Sequence, residues 1–278
     1  MKNLIQEGAV RMVNILVTND DGIYSPGLAL LYNAIRDLGN AIIMAPETPK
    51  SASGLGLTLH KPLRAKKMIV NNLELYAING TPSDVVHVAS HTLGKIDLVV
   101  SGINIGDNTS IQVILSSGTV GAAAQAAILG IPAIAFSASI LDENELISNQ
   151  ELSAMILRVS KEITQYVIEH GLPKEVWLLN VNFPNKVHPR IRAKVVPAAK
   201  IRFAEYIDKR LDPRKQEYYW IYGEPIDPPK DTDVYVITVE KNIAITPLTF
   251  DLNAKITGTV ENITERINDI LRSEKITT

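Results

Sequence analysis

Residues Val13–Gly27, VNILVTNDDGIYSPG, constrain the fold of this chain more than any other stretch. Val13, Ile15, Leu16 and Val17 form a short apolar run rich in β-branched residues, the mark of a buried strand. The run stops at Thr18-Asn19-Asp20-Asp21-Gly22. After Ser25-Pro26-Gly27 the apolar residues Leu28, Leu31, Ile35 and Leu38 recur at helical spacing. Two adjacent carboxylates therefore sit where a strand ends and a helix begins, the place where open α/β sheets bind ligands. Neighbouring Asp side chains repel, and without a partner one of them takes up a proton. A hard divalent cation relieves that conflict. The ordinary alternative is one Asp capping the helix and the other in solvent.

The same alternation continues. Ala41–Ala45 is a second buried strand, followed by the Pro-, Ser- and Gly-containing loop Glu47–Gly56, long for an α/β connection. Leu57–Val70 and Leu73–Ile78 carry β patterns around Asn71-Asn72 and predict a hairpin beside the main sheet. Thr81-Pro82-Ser83-Asp84 starts a helix that runs to about Leu93. Ile96–Val100 is the next strand, then a polar loop over Ser101–Ser117, a small-residue helix over Thr119–Leu129 and a strand over Ile131–Ser137. A helix through Leu152, Met155, Ile156, Val159, Ile163 and Val167 stops at Gly171, and Val176–Val181 is a further strand. This order predicts an α/β, Rossmann-like, doubly wound and mostly parallel sheet over residues 12–184. Beyond residue 184 charge and aromatics rise. Residues 185–278 are expected to form a β-rich extension with strands at Val234–Val239 and Ile243–Ile245, ending in an amphipathic helix over Val260–Leu271. Tyr206, Tyr218, Tyr219, Trp220 and Tyr222 cluster there, and such aromatics call for a partner surface. Residues 1–11 read as a weakly ordered extension.

Three loops that follow strands bring oxygen donors to one sheet edge: Asp20 and Asp21; Ser51 and Ser53 beside Gly54; and Asn104, then Asp107 and Asn108. Two carboxylates, a hydroxyl and an amide oxygen make a partial shell for one Mg²⁺ or Mn²⁺. The competing readings are a serine that closes a turn and an Asn that tolerates left-handed backbone. Ser117-Gly118-Thr119 opens a helix whose free N–H groups suit a phosphate, with an ordinary cap as the alternative. Asn19, Ser53, Gly54, Ser117 and Thr119 are the expected substrate contacts. Asp20, Asp21, Asn108, Ser117, Gly118 and Thr119 are the expected catalytic set. His87 and His91, four apart but without an HExxH pattern, read as structural.

Several classes are excluded or disfavoured. A net charge of −2 provides no general basic surface for duplex nucleic acid. The apolar stretch Val120–Phe136 is broken by Gln125, Gly130 and Pro132, so no membrane span is expected. The chain has 0 Cys, which removes disulfides and thiolate metal sites. Together with the lack of an apolar leader this predicts a cytoplasmic protein. No G-x-G-x-x-G follows the first strand, which argues against a dinucleotide site.

ILVTNDDGIYSPG, APETPKSASG, INGTPSDVV, DLVVSGINIGDN and SSGTVGAA occur in that order, with YYWIYG and AITPL further on. In this series the chain resembles the SurE (survival protein E) family of metal-dependent nucleotidases, from about Val13 into the C-terminal region. The resemblance implies hydrolysis of nucleoside 5′- and 3′-monophosphates and, in some relatives, of polyphosphate ends. It implies one divalent metal ion per subunit at the positions matching Asp20, Asp21, Ser51 and Asn104. It also implies a C-terminal arm exchanged between subunits in a homodimer or homotetramer. Thr48-Pro49-Lys50 departs from the usual pattern before the loop serine. Asp107 stands where the family often has an uncharged residue or Pro, which would put an extra carboxylate near the metal. A metal-dependent nucleotide sensor without turnover is the alternative function.

Overall fold

Side-chain alternation along the first strand decides the layering. Ile15 and Val17 point to one face of the sheet and Leu16 to the other, and each meets its own cluster of buried residues. The computed structural model describes residues 12–254 and 258–273, so the expected extension at residues 1–11 lies outside the described residues. The elements in chain order are β1 (Asn14–Thr18), α1 (Pro26–Ile35), β2 (Asn40–Pro46), β3 (Ala65–Val70), β4 (Leu73–Ile78), α2 (Pro82–Thr92), β5 (Leu98–Ile105), α3 (Ser110–Ser116), α4 (Gly118–Ile128), β6 (Ala133–Ala138), α5 (Asn144–Ser148), α6 (Gln150–His170), β7 (Leu178–Phe183), β8 (Ala193–Val195), β9 (Phe203–Leu211), β10 (Glu217–Pro225), α7 (Asp233–Thr238), β11 (Ile243–Leu248) and α8 (Gly258–Ser273).

Nine strands form one sheet in the order β3-β4-β2-β1-β5-β6-β7-β11-β8. Six of its pairings are parallel; β3–β4 and β7–β11 are antiparallel. The fold is Rossmann-like α/β with a C-terminal helix. Helices α1 and α6 cover one face through Leu28, Leu31, Leu152, Met155 and Ile156. Helices α2 and α4 cover the other through Val85, Val86, Val120 and Ala122–Ala124. Each fully buried Leu, Val or Ile contributes about 1.5–3 kcal/mol. From β1 the chain steps to β2 on one side and later returns to β5 on the other. The topological switch point therefore lies between the C-terminal ends of β1 and β5, which carry Asp20-Asp21 and Asn104.

Local chemistry matches the sequence at several element ends. Ser25 caps α1 and Pro26 opens it. Thr81 and Asp84 form a reciprocal capping box on α2. Asn71 and Asn72 both have positive φ, 50° and 64°, as a two-residue hairpin of the primed type requires.

Four expectations are corrected. Leu57–Arg64 is not strand, and the β3–β4 hairpin belongs to the main sheet rather than lying beside it, because β4 pairs in parallel with β2. Ser101–Ser117 is not one loop: β5 continues to Ile105 through a register shift between Ser101 and Asn104, and α3 precedes Ser117. Val234–Val239 is a helix, α7, not a strand. Thr232 caps it, while Val236 and Ile237 bury against Val196 and Ala244. Finally, β8 and β11 join the main sheet, so the sheet does not end at residue 184. The β9–β10 hairpin stands apart as its own two-stranded ribbon. Among the described residues no single helix is long and apolar enough to cross a membrane.

Candidate active site

The turn after β1 is closed by one side chain. Asn19 Nδ2 donates to the Gly22 carbonyl at 3.1 Å, and the Gly22 N–H donates to Asn19 Oδ1 at 3.2 Å. The Asn19 amide is thus spent on holding Asp20 and Asp21 in place, rather than free for substrate as expected.

Asp20 is buried, 3% exposed. Thr119 Oγ1 donates to its Oδ1 at 2.6 Å, and the backbone N–H groups of Gly118 and Thr119 also reach its carboxylate. Burial raises its pKa and outweighs those hydrogen bonds, which lower it. Asp21 is half-buried and accepts the Ile105 N–H on Oδ2 at 3.3 Å. Burial, then the charge of Asp20, pushes its pKa up to about 7, against the Ile105 hydrogen bond. The causes of these two shifts include no cationic side chain.

Asn104 sits at the end of β5, past the register shift. Its Nδ2 donates to the Gly106 carbonyl at 2.7 Å and the Ile105 carbonyl at 3.2 Å, which turns Oδ1 toward Thr119 Oγ1, 3.3 Å away. Its φ is not positive, so the left-handed-backbone reading falls away.

The loop after β2 folds over this cluster. The Lys50 N–H donates to the Asp20 carbonyl at 2.7 Å, and the Gly54 N–H donates to the Ser116 carbonyl at 2.9 Å. The loop lies directly on α4: a Cβ at Gly121 would stand 2.1 Å from the Gly54 carbonyl oxygen. At Gly118 a Cβ would meet Ser53 Oγ at 2.6 Å and Asp20 Oδ2 at 2.8 Å. Ser53 Oγ is buried beside the Asp20 carboxylate without a hydrogen-bond partner among the described residues. Ser51 is exposed, one residue beyond the Lys50 anchor.

Four expected roles change. Ser117 Oγ accepts from the Val120 N–H at 3.1 Å, so its hydroxyl is the ordinary helix cap. The N–H groups of Gly118 and Thr119, expected to cradle phosphate, lie against the Asp20 carboxylate and lower its pKa. Asn108 is buried, donating its side-chain amide to Ser137 Oγ at 2.8 Å, while its backbone is held by Asn180 and Asn182. Asp107 is not an extra carboxylate for a metal. It pairs with Arg202 and accepts from Thr109 Oγ1 at 2.5 Å and Ser139 Oγ at 2.7 Å. Asn180 and Asn182 were not singled out from sequence. The signal was there, because two Asn residues two apart in an apolar strand share one face.

The structure therefore draws together Asp20, Asp21, Asn104, Thr119 and Ser53 from four separate segments. A model of the family described as "Survival protein SurE" matches residues 15–205. The chain belongs to the SurE family. A protein of Hyperthermus butylicus described as "5'-nucleotidase SurE" is 56% identical over 87% of this chain and 86% of its own length. One of Pyrobaculum arsenaticum with the same description is 51% identical over 87% of this chain and 91% of its own. The crystal structure of the SurE protein from Aquifex aeolicus superposes with a TM-score of 0.75 at 33% identity, covering 90% of this chain and 99% of that one.

The cluster suits a hard cation. Asp20 and Asp21 are adjacent carboxylates with raised pKa and no compensating cation, and carboxylate plus carbonyl-type oxygen is the donor set of Mg²⁺ and Mn²⁺. Among the described residues no three His, Cys, Asp or Glu side chains come together so as to hold a metal ion, so Asn and Ser oxygens would complete any such shell. His87 and His91 do not form a metal pair; His91 Nδ1 lies 2.8 Å from the His87 carbonyl on their own helix.

Proposed function

We propose that this SurE-family chain is a metal-dependent phosphomonoesterase that converts nucleoside 5′- and 3′-monophosphates to nucleoside and phosphate, with polyphosphate ends as a second substrate class. The observation that carries this reading is the uncompensated Asp20-Asp21 pair with Asn104 at the switch point, in a chain whose relatives are described as 5′-nucleotidases. Asp20, Asp21, Ser51 and Asn104 would hold one Mg²⁺ or Mn²⁺ per subunit. Such an ion supplies positive charge for phosphate oxygens and lowers the pKa of water beside them.

The chain's own groups do the rest. Thr119 and the backbone N–H groups of Gly118 and Thr119 fix Asp20 in one orientation. The Ile105 N–H holds Asp21 through Oδ2 beside Asp20, so both carboxylates present their negative charge to the same cation. Ser53 Oγ, buried and unpartnered, donates to a phosphate oxygen. Water attacks phosphorus in line with the departing ribose oxygen. The exposed aromatics of β9–β10 and the apolar face of α8 (Val260, Ile263, Ile267) suit assembly of a homodimer or homotetramer through this arm.

The test is p-nitrophenyl phosphate with Mg²⁺ or Mn²⁺, with and without chelator, alongside a panel of nucleoside monophosphates. Nitrophenol and phosphate release that needs the ion supports the reading. Tight nucleotide binding without release points instead to the sensor.

A further inference from the structure

The β9–β10 hairpin leaves the core beside α3, and one side chain fastens its first residues to that helix. Gln112 Oε1 accepts the N–H groups of Arg202 and Phe203, both at 3.0 Å. Its Nε2 donates to the Phe203 carbonyl at 3.2 Å and to Glu205 Oε1 at 2.9 Å. Between helix and hairpin lies a cleft of about 410 Å³, walled by Val113, Phe203, Glu205, Ile221 and Gly223. That volume falls within the range of small-molecule sites. Cross-strand register puts Phe203, Glu205, Ile221 and Gly223 on one face of the hairpin, because Gly223 pairs with Glu205 and Ile221 with Ile207. Tyr206 and Tyr222 pair on the other face and stack at 5.5 Å. Gly223 keeps the floor flat; a Cβ there would stand 2.6 Å from Phe203 Cβ.

The near rim of the cleft is Ser116, two residues from Gly118, and the Gly118 backbone lies against Asp20 and Ser53. Two Cα steps span at most about 7.6 Å. The cleft and the Asp20 cluster therefore adjoin along the α3–α4 junction, where a nucleotide with its phosphate at the cluster would bring its base to the cleft. The polar chemistry of the cleft is one-sided. Both sides of the Gln112 amide are occupied by the hairpin, and Ser116 Oγ donates to its own helix at the Val113 carbonyl, 3.1 Å. Tyr222 also lines the cleft, but its ring stacks on Tyr206 across the hairpin, so on the face shared with Phe203 and Ile221 Glu205 is the side chain with acceptor capacity left, since a carboxylate offers about four lone-pair sites. Guanine presents N1–H and its 2-amino group side by side to a carboxylate. Adenine presents one amino group next to the acceptor N1, which a carboxylate repels.

We infer that this cleft binds the nucleobase of the substrate and that Glu205 selects guanine over adenine. The inference rests on the nucleotide reading of the neighbouring site. It is tested by titrating the whole chain, with Mn²⁺, against non-hydrolysable 5′-phosphonate analogues of guanosine, adenosine and ribose in a calorimeter. Phosphate release from GMP is followed in parallel. The guanosine analogue is expected to bind about tenfold tighter than the adenosine analogue, which in turn binds tighter than the ribose analogue. Glu205→Gln removes the guanosine preference, and Ile221→Ala weakens both nucleoside analogues. Equal affinity for all three ligands, or a Glu205→Gln variant that keeps the wild-type preference, overturns the inference. Preserved base preference without phosphate release supports the cleft and removes the hydrolytic reading instead.

Discussion

Thr119 Oγ1 donates to Asp20 Oδ1 at 2.6 Å and lies 3.3 Å from Asn104 Oδ1, so one hydroxyl links the ends of two neighbouring strands. A hydroxyl has a single proton, and the shorter bond holds it. Asn104 Oδ1 is left with only a long contact there, an oxygen free to face a cation. Thr119→Val removes the bond that orients Asp20. Outer-shell partners of metal ligands are worth about 10–100-fold in metal affinity, and that loss is expected in an Mn²⁺ titration, with recovery in Thr119→Ser. Unchanged affinity in Thr119→Val counts against the link.

The raised pKa of Asp21 has a direction that can be checked in metal-free protein. Its folded value of about 7 stands above the unfolded value of 3.8. The folded chain therefore holds a proton between those values that the unfolded chain releases. The stability this contributes is full below about pH 4 and is lost as pH rises to about 7. Thermal melts in chelator should show Tm falling over that interval and levelling above it, with a shallower slope in Asp21→Asn. Protons and cation compete for the same oxygens, so Mn²⁺ affinity should rise about tenfold per pH unit up to pH 7 and then flatten.

Gly118 is where the loop, the helix and Asp20 come closest. Gly118→Ala would press a methyl group against Ser53 Oγ at 2.6 Å and Asp20 Cβ at 2.8 Å. Overpacking of this kind costs about 1–3 kcal/mol. Urea denaturation should register that loss together with a sharp fall in turnover, whereas Gly130→Ala, with open space around it but a φ of +76°, should lower stability without affecting turnover.

Much of this site was legible because the elements that carry it are locally encoded. The apolar run into Asp20-Asp21, the Ser25-Pro26 start of α1 and the Thr81/Asp84 box each need only neighbours in sequence. What was not legible depends on distant groups. Val234–Val239 is apolar and β-branched, yet α7 forms because Asp233 accepts N–H groups from Ser110 and Ala199, both at 2.8 Å, and the helix buries against Val196. Nothing in the sequence local to the N-terminus of α4 says that Asp20, 99 residues earlier, accepts the Thr119 hydroxyl there. Asp107 looked like a metal neighbour because its partner Arg202 lies far along the chain, beyond β8.

That last pair carries a stability prediction. The Asp107 side chain is 3% exposed and that of Arg202 is 16% exposed. Removing one member of a buried pair costs about 3–5 kcal/mol, because the other charge is left without compensation. Arg202→Met should lose that much in denaturant unfolding, and Arg202→Met combined with Asp107→Asn should recover part of it, the remainder being the charge of buried Asp233, which Arg202 also faces. A double variant no more stable than the single would mean that Asp107 is held by Thr109 and Ser139 rather than by the ion pair.

The central claim is that Asp20, with Asp21 and Asn104, forms a cation site on which phosphoester cleavage depends. Phosphate release from a nucleoside 5′-monophosphate by the wild-type chain and by Asp20→Asn, each with Mn²⁺ and with chelator, tests it most directly. The wild-type chain should release phosphate only with Mn²⁺, and Asp20→Asn should release none while keeping a native circular dichroism spectrum. Undiminished hydrolysis by a folded Asp20→Asn chain, or wild-type hydrolysis that persists in chelator, would contradict it.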